Sequence, residues 1–500
     1  MRTIPDSDNF KNIPLPLSLD DKISDLRRIL DNSSDLLINP IELGGVRTAL
    51  VTMEGMVASD RAAQMIMEPL MEMQISDKKV TPDELFTFIR DRMMMTLDRA
   101  VSIEYGDIMR RIMSGFAVLM IDGTDKVFSL GIQGYAIRGV QEPSSEGNIT
   151  GAHEGFVETV RTNMSLLRRR IKSPKLQFSL FAVSSESNVD VILCFMADRV
   201  PKNTVAKIKA RLEKLPLEAV LGHGYAEPFL IKERLSFFSG LTVTERPDIM
   251  CARLLEGRIG LLIDGTPFAL VIPSLFSDHF HTADDYNFRP FYATFIRLIR
   301  YAAFVLSVFL PGAYVSAAVH HRELLRSELL LNLASAETSA PLPIALEALI
   351  VLLFYEVIRE AGVRLPKSVG GAVSIVGGLI IGDAAVTAGI ITNPMLLVCA
   401  ISVTASFVIP SLNPVITVTR LFCVVLGSIF GLYGVSLAAA AMLVSACSAD
   451  NYGIPLTAPV TPMTLKAMGD TFIRRSLRSL SGRHISAEDY NGSYTDSWEE

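Results

Sequence analysis

Apolar and polar positions follow two different regimes along this chain. From Ser368 to Ala449 the only charged residues are Asp383 and Arg420. An apolar stretch of that length is too long for one buried core helix, and several membrane-spanning helices explain it better. Upstream, charges are frequent and the apolar positions switch between helical and alternating spacing. The pattern predicts an amphipathic helix near Asp20–Leu30 and a Met-rich helical region over 60–105. It then predicts strands at Phe116–Ile121 and Val127–Ile132, and a helix from Glu154 to Ile171. Strands at Leu176–Val183 and Val189–Phe195 follow, then a helix at Lys202–Leu215.

Asp122-Gly123 between two apolar runs is a hairpin signal. It has an echo: residues 115–124 read GFAVLMIDGT and residues 257–266 read GRIGLLIDGT, an offset of 142. The expected architecture is therefore an α/β soluble N-terminal region of two subdomains, followed by an α-helical polytopic membrane domain. The expected boundaries are a polar lead-in over 1–35, subdomain one over 36–150 and subdomain two over 151–290. A transmembrane domain over 291–449 and a basic, then acidic, tail over 450–500 complete the chain.

Five hydrophobic segments are predicted in the membrane block: Phe291–Val319, Leu342–Ile358, Gly370–Ile391, Leu396–Leu412 and Leu421–Cys447. Asn393-Pro394 and Asn413-Pro414 mark breaks. Arg297 and Arg300 are expected to reach cytoplasmic headgroups. The start lacks an apolar signal-peptide core, so the N-terminal half is expected to stay cytoplasmic. Basic residues also place the C-terminal tail inside, at Lys466, Arg474, Arg475, Arg478 and Arg483. Five full spans would put it outside. Either the number of spans is even or one segment is re-entrant, and Gly370–Ile391, interrupted by Asp383, is the candidate.

Ionisable groups at membrane depth are costly and often functional. Glu347, Glu356 and Asp383 are the candidate pore-lining or polar intramembrane residues. Glu347 and Glu356 are nine residues apart, so on a helix they face opposite ways. Structural roles are open for all three: Glu356 can pair with Arg359, and Glu360 with Arg364, at helical spacing. Gly378-x-x-x-Gly382 and Gly427-x-x-x-Gly431 match the close-packing pattern of membrane helices.

Composition adds constraints. The chain has 500 residues, 49% of them hydrophobic, and its mean hydropathy of +0.35 is high for a soluble protein. A net charge of -6 gives no reason to expect a nucleic-acid partner. The five cysteines are scattered without a CxxC pair, so neither zinc nor a disulfide framework is indicated. Met93, Met94 and Met95 point in different directions on a helix and read as core packing. His279 and His281 alternate before the first span without further ligands at metal-site spacing. No nucleotide-binding, hydrolase or metalloprotease motif appears in a convincing context. No cofactor, no metal and no enzymatic activity are expected.

Several longer motifs resemble one family. They are Glu245-Arg246-Pro247-Asp248; Gly257 through Phe268; Val271-Ile272-Pro273; Glu360 through Pro366; Val376-Gly377-Gly378; and Ile381 through Val386. Upstream, Glu142 through Glu146, His153 through Glu158 and Asn163 through Lys175 also fit. Together they resemble the GerA family of spore germination proteins, specifically the A subunit of nutrient germinant receptors. The likeness covers about residues 100–450. Thr150-Gly151-Ala152 stands where the family usually has Arg-Gly-Pro. The resemblance implies an inner-spore-membrane protein acting with B and C receptor subunits. It also implies a homo-oligomer in membrane lipid that conducts ions and opens to start germination. Glu245, Arg246, Pro247, Asp248, Asp264 and Gly265 read as structural members of the motifs. A secondary transporter working alone is the alternative, since the Asn-Pro and Gly breaks suit discontinuous helices.

Overall fold

The computed structural model describes every residue except 1–9, 11, 72–79, 93–97, 135–142, 144–145, 148–149, 232–235, 325–326, 329–340, 366–381, 462, 464–466 and 481–500. The first α/β unit begins with helix α1 (Leu19–Ile29), inside the stretch read as a polar lead-in. Strands β1 (Leu36–Leu43) and β2 (Val46–Met53) follow as a hairpin. Its two-residue turn is Gly44-Gly45, with φ of +57° and +79°, a signal the sequence reading passed over. Pro40 within β1 obscures that strand, and Pro is tolerated there because β1 lies at the sheet edge.

A helical run from Ser59 to Met71, helix α2 (Pro82–Arg92), strand β3 (Arg99–Ser102) and helix α3 (Tyr105–Ile112) come next. The predicted helical region 60–105 thus ends in an edge strand. The adjacent Met93, Met94 and Met95 lie outside the described residues. Strands β4 (Phe116–Ile121) and β5 (Val127–Gly131) form the hairpin that Asp122-Gly123 signalled. The sheet is antiparallel, in the order β1-β2-β4-β5-β3.

The second unit repeats this design. Helix α4 (Val160–Arg170) precedes the hairpin β6 (Leu176–Val183) and β7 (Val189–Met196). Helices α5 (Lys202–Glu213) and α6 (His223–Leu230) lead to strand β8 (Thr242–Thr244) and helix α7 (Pro247–Leu255). Strands β9 (Ile259–Ile263) and β10 (Ala269–Ile272) complete the order β6-β7-β9-β10-β8. Both sheets therefore share one strand order, and the IDGT echo marks a structural repeat.

Each sheet is covered on both faces, which explains central strands as continuously apolar as FAVLMI and IGLLI. In β4, Val118 and Met120 pack with α1 and α3, while Ala117, Leu119 and Ile121 pack with α2. In β9, Leu262 packs with α4 and α7, while Leu261 and Ile263 pack with α5 and α6. An antiparallel sheet with one wet face would show alternation instead.

The helical block starts with α8 (Pro290–His320), 31 residues long and so about 46 Å. Helices α9 (Ile344–Arg364), α10 (Asn393–Ser406), α11 (Asn413–Phe430) and α12 (Leu432–Ser448) follow. Pro394 and Pro414 sit in the first turns of α10 and α11, where proline costs no hydrogen bond. Among the described residues, two helices are long and apolar enough to cross a membrane, Pro290–His320 and Pro410–Phe430. Asn393–Ser406 and Leu432–Ser448 are shorter apolar helices. The predicted third segment lies largely outside the described residues, as do Gly378, Lys466 and Arg483.

The predicted fifth segment, Leu421–Cys447, is corrected. It is two helices joined at Gly431, whose φ is +65°. The Gly427-x-x-x-Gly431 pair consequently serves two purposes. A Cβ on Gly427 would lie 2.7 Å from the Gly312 carbonyl oxygen, so Gly427 permits α8 and α11 to touch. Gly431 makes the turn of a helical hairpin.

The block has a near end, beside the second α/β unit, and a far end. Phe280, Phe304, Ile409 and Ala446 share one near-end cluster. Val315, Ile344, Ala348 and Met395 share a far-end cluster. His320 reaches the Ser428 carbonyl at 2.7 Å beyond it. After α12 the chain returns to the second unit: the Tyr452 hydroxyl donates to the Leu230 carbonyl, and Phe276 N–H donates to the Leu456 carbonyl. The block is thus left and re-entered at the same end.

Candidate functional site

Polar side chains concentrate in two places: the junction between the second α/β unit and the block, and the interior of the block. At the junction, Pro247 occupies the first turn of α7. Arg246 clamps Asp248 through Nε at 3.1 Å and Nη2 at 2.6 Å, and also donates to the carbonyls of Glu146 and Ala152. Glu245 is buried, and its carbonyl accepts the Phe156 amide at 2.7 Å. The motif Glu245-Arg246-Pro247-Asp248 thereby fastens the segment before α4 onto α7. Thr150 itself, at the departure from the family pattern, bonds Asp284 through its amide and hydroxyl.

A strap over 276–288 links β10 to α8. Asp278 in this strap bonds Arg258 of the second repeated motif, pairs with Arg253 at 3.1 Å, and accepts the Leu275 amide. Burial works against its charge, yet the two guanidiniums hold its carboxyl well below the usual range. Asp285 accepts Arg297 and Arg300, each at 2.9 Å. Asp470 of the returning tail also pairs with Arg297, at 3.1 Å. The expectation that Arg297 and Arg300 reach headgroups is therefore corrected. Both are buried, because the strap and the tail supply the carboxylates that pair with them.

His279 Nδ1 lies 3.0 Å from Ser411 Oγ, just before α11, and His281 Nε2 lies 2.8 Å from the Thr471 carbonyl oxygen. Burial pushes both imidazoles down to about 4. Among the described residues no group of three or more His, Cys, Asp or Glu could hold a metal ion. Two cavities flank this cluster, one of about 410 Å³ and one of about 460 Å³. They share Arg253, Asp278 and His281 in their walls.

Inside the block, Glu347 is fully buried. Its Oε2 accepts the Thr392 amide at 3.0 Å and the Thr392 hydroxyl at 2.9 Å. The carboxylate thus caps the positive end of α10. Its Oε1 has no hydrogen-bond partner among the described residues. Glu356 faces the other way, toward α11. It pairs with Arg420 at 3.1 Å and Arg359 at 2.6 Å, and accepts the Thr417 hydroxyl at 2.9 Å. Arg420 is buried and also reaches Ser402 Oγ of α10. The Glu360–Arg364 pair forms as well, at 2.6 Å, on the exposed side of α9. Asp383 is exposed within a helical turn over 382–387.

The structure therefore does not gather Glu347, Glu356 and Asp383 into one cluster. Asp264 and Gly265 stand apart from both polar regions, in the β9–β10 turn. Asp278, Asp285 and Thr392 carry no signal in the sequence, and Arg258 stands out there only as a member of the motif Gly257 through Phe268. Arg420 was noted only as a charge, although a lone arginine in so apolar a stretch demands a buried acid.

Comparison with known proteins matches the family described as "Bacillus/Clostridium GerA spore germination protein" over residues 24–485. The chain is 32% identical to spore germination protein KA of Bacillus subtilis (strain 168), over 91% of this chain and 84% of that one. It is 31% identical to spore germination protein GerLA of Bacillus cereus, over 95% and 96%. It is also 32% identical to the uncharacterized membrane protein YfkQ of B. subtilis (strain 168), over 95% and 92%. Among solved structures, the N-terminal domain of the A subunit of the Bacillus megaterium spore germinant receptor GerK3 matches with 26% identity. That match covers 53% of this chain and 97% of the other, with a TM-score of 0.42. With the family match running through both α/β units and the helical block, the chain belongs to the GerA family of spore germination proteins, receptor subunits rather than enzymes.

Proposed function

We propose that this chain is the A subunit of a spore germinant receptor, set in the inner spore membrane by its helical block. It joins B and C subunits there, homo-oligomerises, and contributes to an ion-conducting path whose opening triggers germination. The observation that carries this reading is the family match over residues 24–485, which omits neither half of the chain.

The direction of each helix supports a multi-pass arrangement. Helix α8 runs from near end to far end, α9 returns, and α10 also runs from far to near. Helix α11 goes out and α12 comes back to the end where α8 began. That leaves the α/β units and the described start of the basic tail on one side, and the positive-inside rule makes that side cytoplasmic. The conflict raised by five segments then disappears.

Of the polar groups, Glu347 is best suited to interact with a passing ion, because one carboxylate oxygen has no hydrogen-bond partner among the described residues. Glu356 is held by two arginines and acts as a clamp between α9 and α11. The test is ion release from liposomes holding this chain with its B and C partners. Glu347→Gln should slow release about tenfold, the effect of removing roughly 1.4 kcal/mol of favourable interaction from the conducting state. If Glu347→Gln, Glu356→Gln and Asp383→Asn all release ions like the parent, the polar path runs elsewhere. Solute uptake by the purified chain without partners would establish the transporter alternative instead.

A further inference from the structure

Helix α12 has 17 residues, or about 25 Å of length, against a hydrocarbon core of about 30 Å. If α12 crosses the bilayer, as the reading above requires, both its ends lie at or inside the hydrocarbon edge. Ser445 stands three residues before its near end. Its hydroxyl accepts the Phe237 amide at 3.0 Å and lies 3.3 Å from Ser236 Oγ. The second α/β unit is thereby pinned to the last turn of α12, and Phe237 is carried to the depth of that turn. The two phenylalanines here differ. Phe238 is 4% exposed and stacks edge-on against Phe276, whereas Phe237 is 36% exposed.

Helix α6 lies at the same end. The ring of His223 is 5.0 Å from that of Phe268, which shares a cavity wall with Pro410 and Ser411 of the block. At its other end, the Leu230 carbonyl accepts the Tyr452 hydroxyl, just past α12. Leu221 and Tyr225, at the His223 end of α6, are 70% and 46% exposed. The first turns of α8 add Phe291 and Phe295, also exposed, at this end of the block. Aromatic side chains favour the membrane–water boundary, where an apolar body and nearby polar groups are both satisfied.

We propose that the second α/β unit rests on the lipid bilayer itself, with Phe237 inserted at the hydrocarbon edge and Leu221 and Tyr225 at headgroup level. Exposure alone does not single out this patch, since Ile103 on the first unit is 54% exposed. The pin at Ser445 does, because it fixes the depth. The inference rests on the membrane reading and goes beyond it. It states which soluble surface touches lipid, and so gives the bilayer a direct hold on the unit that carries the junction.

The test uses the full chain in phosphatidylcholine vesicles. The single tryptophan, Trp498, is first replaced by Phe. One reporter is then introduced at a time, as Phe237→Trp, Tyr225→Trp, Val444→Trp or Ile103→Trp. Lipid brominated high on the acyl chains should quench the reporter at 237 about twofold and shift its emission to the blue, as expected for an interfacial indole. The reporter at 225 should be quenched less, and that at 103 not at all. If the reporter at 444 is quenched and that at 237 is not, the inference falls while the membrane reading stands. If the reporter at 237 is shielded from aqueous acrylamide but not quenched by lipid, a protein partner covers it, and the inference again falls. Equal quenching at 103 and 237 would mean unspecific adhesion and overturn it too. No quenching at 444 would overturn the membrane reading, and this inference with it.

Discussion

The carboxylate of Asp264 accepts the backbone amide of Val160 at 2.9 Å, across 104 residues of sequence. Asp122 does the same for Leu19 at 2.8 Å. The neighbouring glycines match as well: the Gly265 amide donates to the Glu158 carbonyl, and the Gly123 amide to the Leu17 carbonyl. In each α/β unit the IDGT turn therefore caps the unit's first helix from a distance. Neither Ser18 nor Thr159, the local N-cap residue, makes a side-chain cap.

Asp264→Ala should cost about 1 kcal/mol, as loss of a helix N-cap does, and Asp264→Asn should cost less. Thermal unfolding of the detergent-solubilised chain measures both. Equal melting temperatures for Ala and Asp at 264 would remove the capping role.

Arg168 and Asp35 form an ion pair at 2.8 Å with both side chains 1% exposed, and it joins the two α/β units. Arg168 also donates to the carbonyls of Ser173 and Leu176. Asp35→Ala leaves a buried guanidinium without its counter-charge and should cost about 3–5 kcal/mol. Hydrogen exchange should quicken in α1 and α4 together. Faster exchange confined to α1 would show that the pair does not couple the units.

Gly431→Ala should destabilise the α11–α12 hairpin. A Cβ there would approach His321 Nε2 to 2.9 Å, and the backbone at φ +65°, ψ -148°, a region essentially confined to glycine, adds about 1–3 kcal/mol of strain. Gly265→Ala is the comparison: nothing lies within 4 Å of its Cβ, so only the strain at φ +85° remains. The melting temperature should fall further for Gly431→Ala than for Gly265→Ala. The reverse order would mean that the hairpin turn yields freely.

Arg420→Met alone should destabilise less than Glu356→Gln alone, because Glu356 keeps Arg359 whereas Arg420 loses its only carboxylate among the described residues. The double variant should cost less than the sum, with a coupling of about 1–3 kcal/mol. Strict additivity in melting experiments would show that the pair contributes no net interaction between α9 and α11.

Acid should loosen the junction. His279 and His281 sit at about 4 in the folded chain against an ordinary 6.5. Between those values the unfolded chain binds more protons, so stability falls as pH drops through that window and is unaffected by these groups above it. Asp278, held low by Arg253 and Arg258, loses its contribution only at still lower pH. His279→Gln with His281→Gln should flatten the melting temperature between pH 6.5 and 4. An unchanged acid limb would place the titrating groups elsewhere.

Much of the fold was legible because its signals are local. The strands Phe116–Ile121 and Leu176–Val183 agree residue for residue with β4 and β6. The IDGT echo reported a true repeat because a turn that caps a distant helix needs Asp and Gly at fixed places. Other elements were hidden by their context. Strand β1 carries a proline that only an edge position tolerates. The apolar run Leu421–Cys447 has no polar break, since the break at Gly431 is one of backbone conformation and not of hydropathy.

Readable from the order of residues alone were the division into charged α/β units and an apolar helical block, the repeat, and the residue pairs within one helix, such as Glu356 with Arg359. Those features depend on periodicity and on spacing of three or four residues, which a chain cannot hide. The tertiary structure alone decided which distant charges meet: Asp285 with Arg297 and Arg300, Asp278 with Arg258, Arg420 with Glu356, and Glu347 with the start of α10. The reason is energetic. A buried charge must find a partner, but any element of the fold can supply it, and no local pattern says which one will.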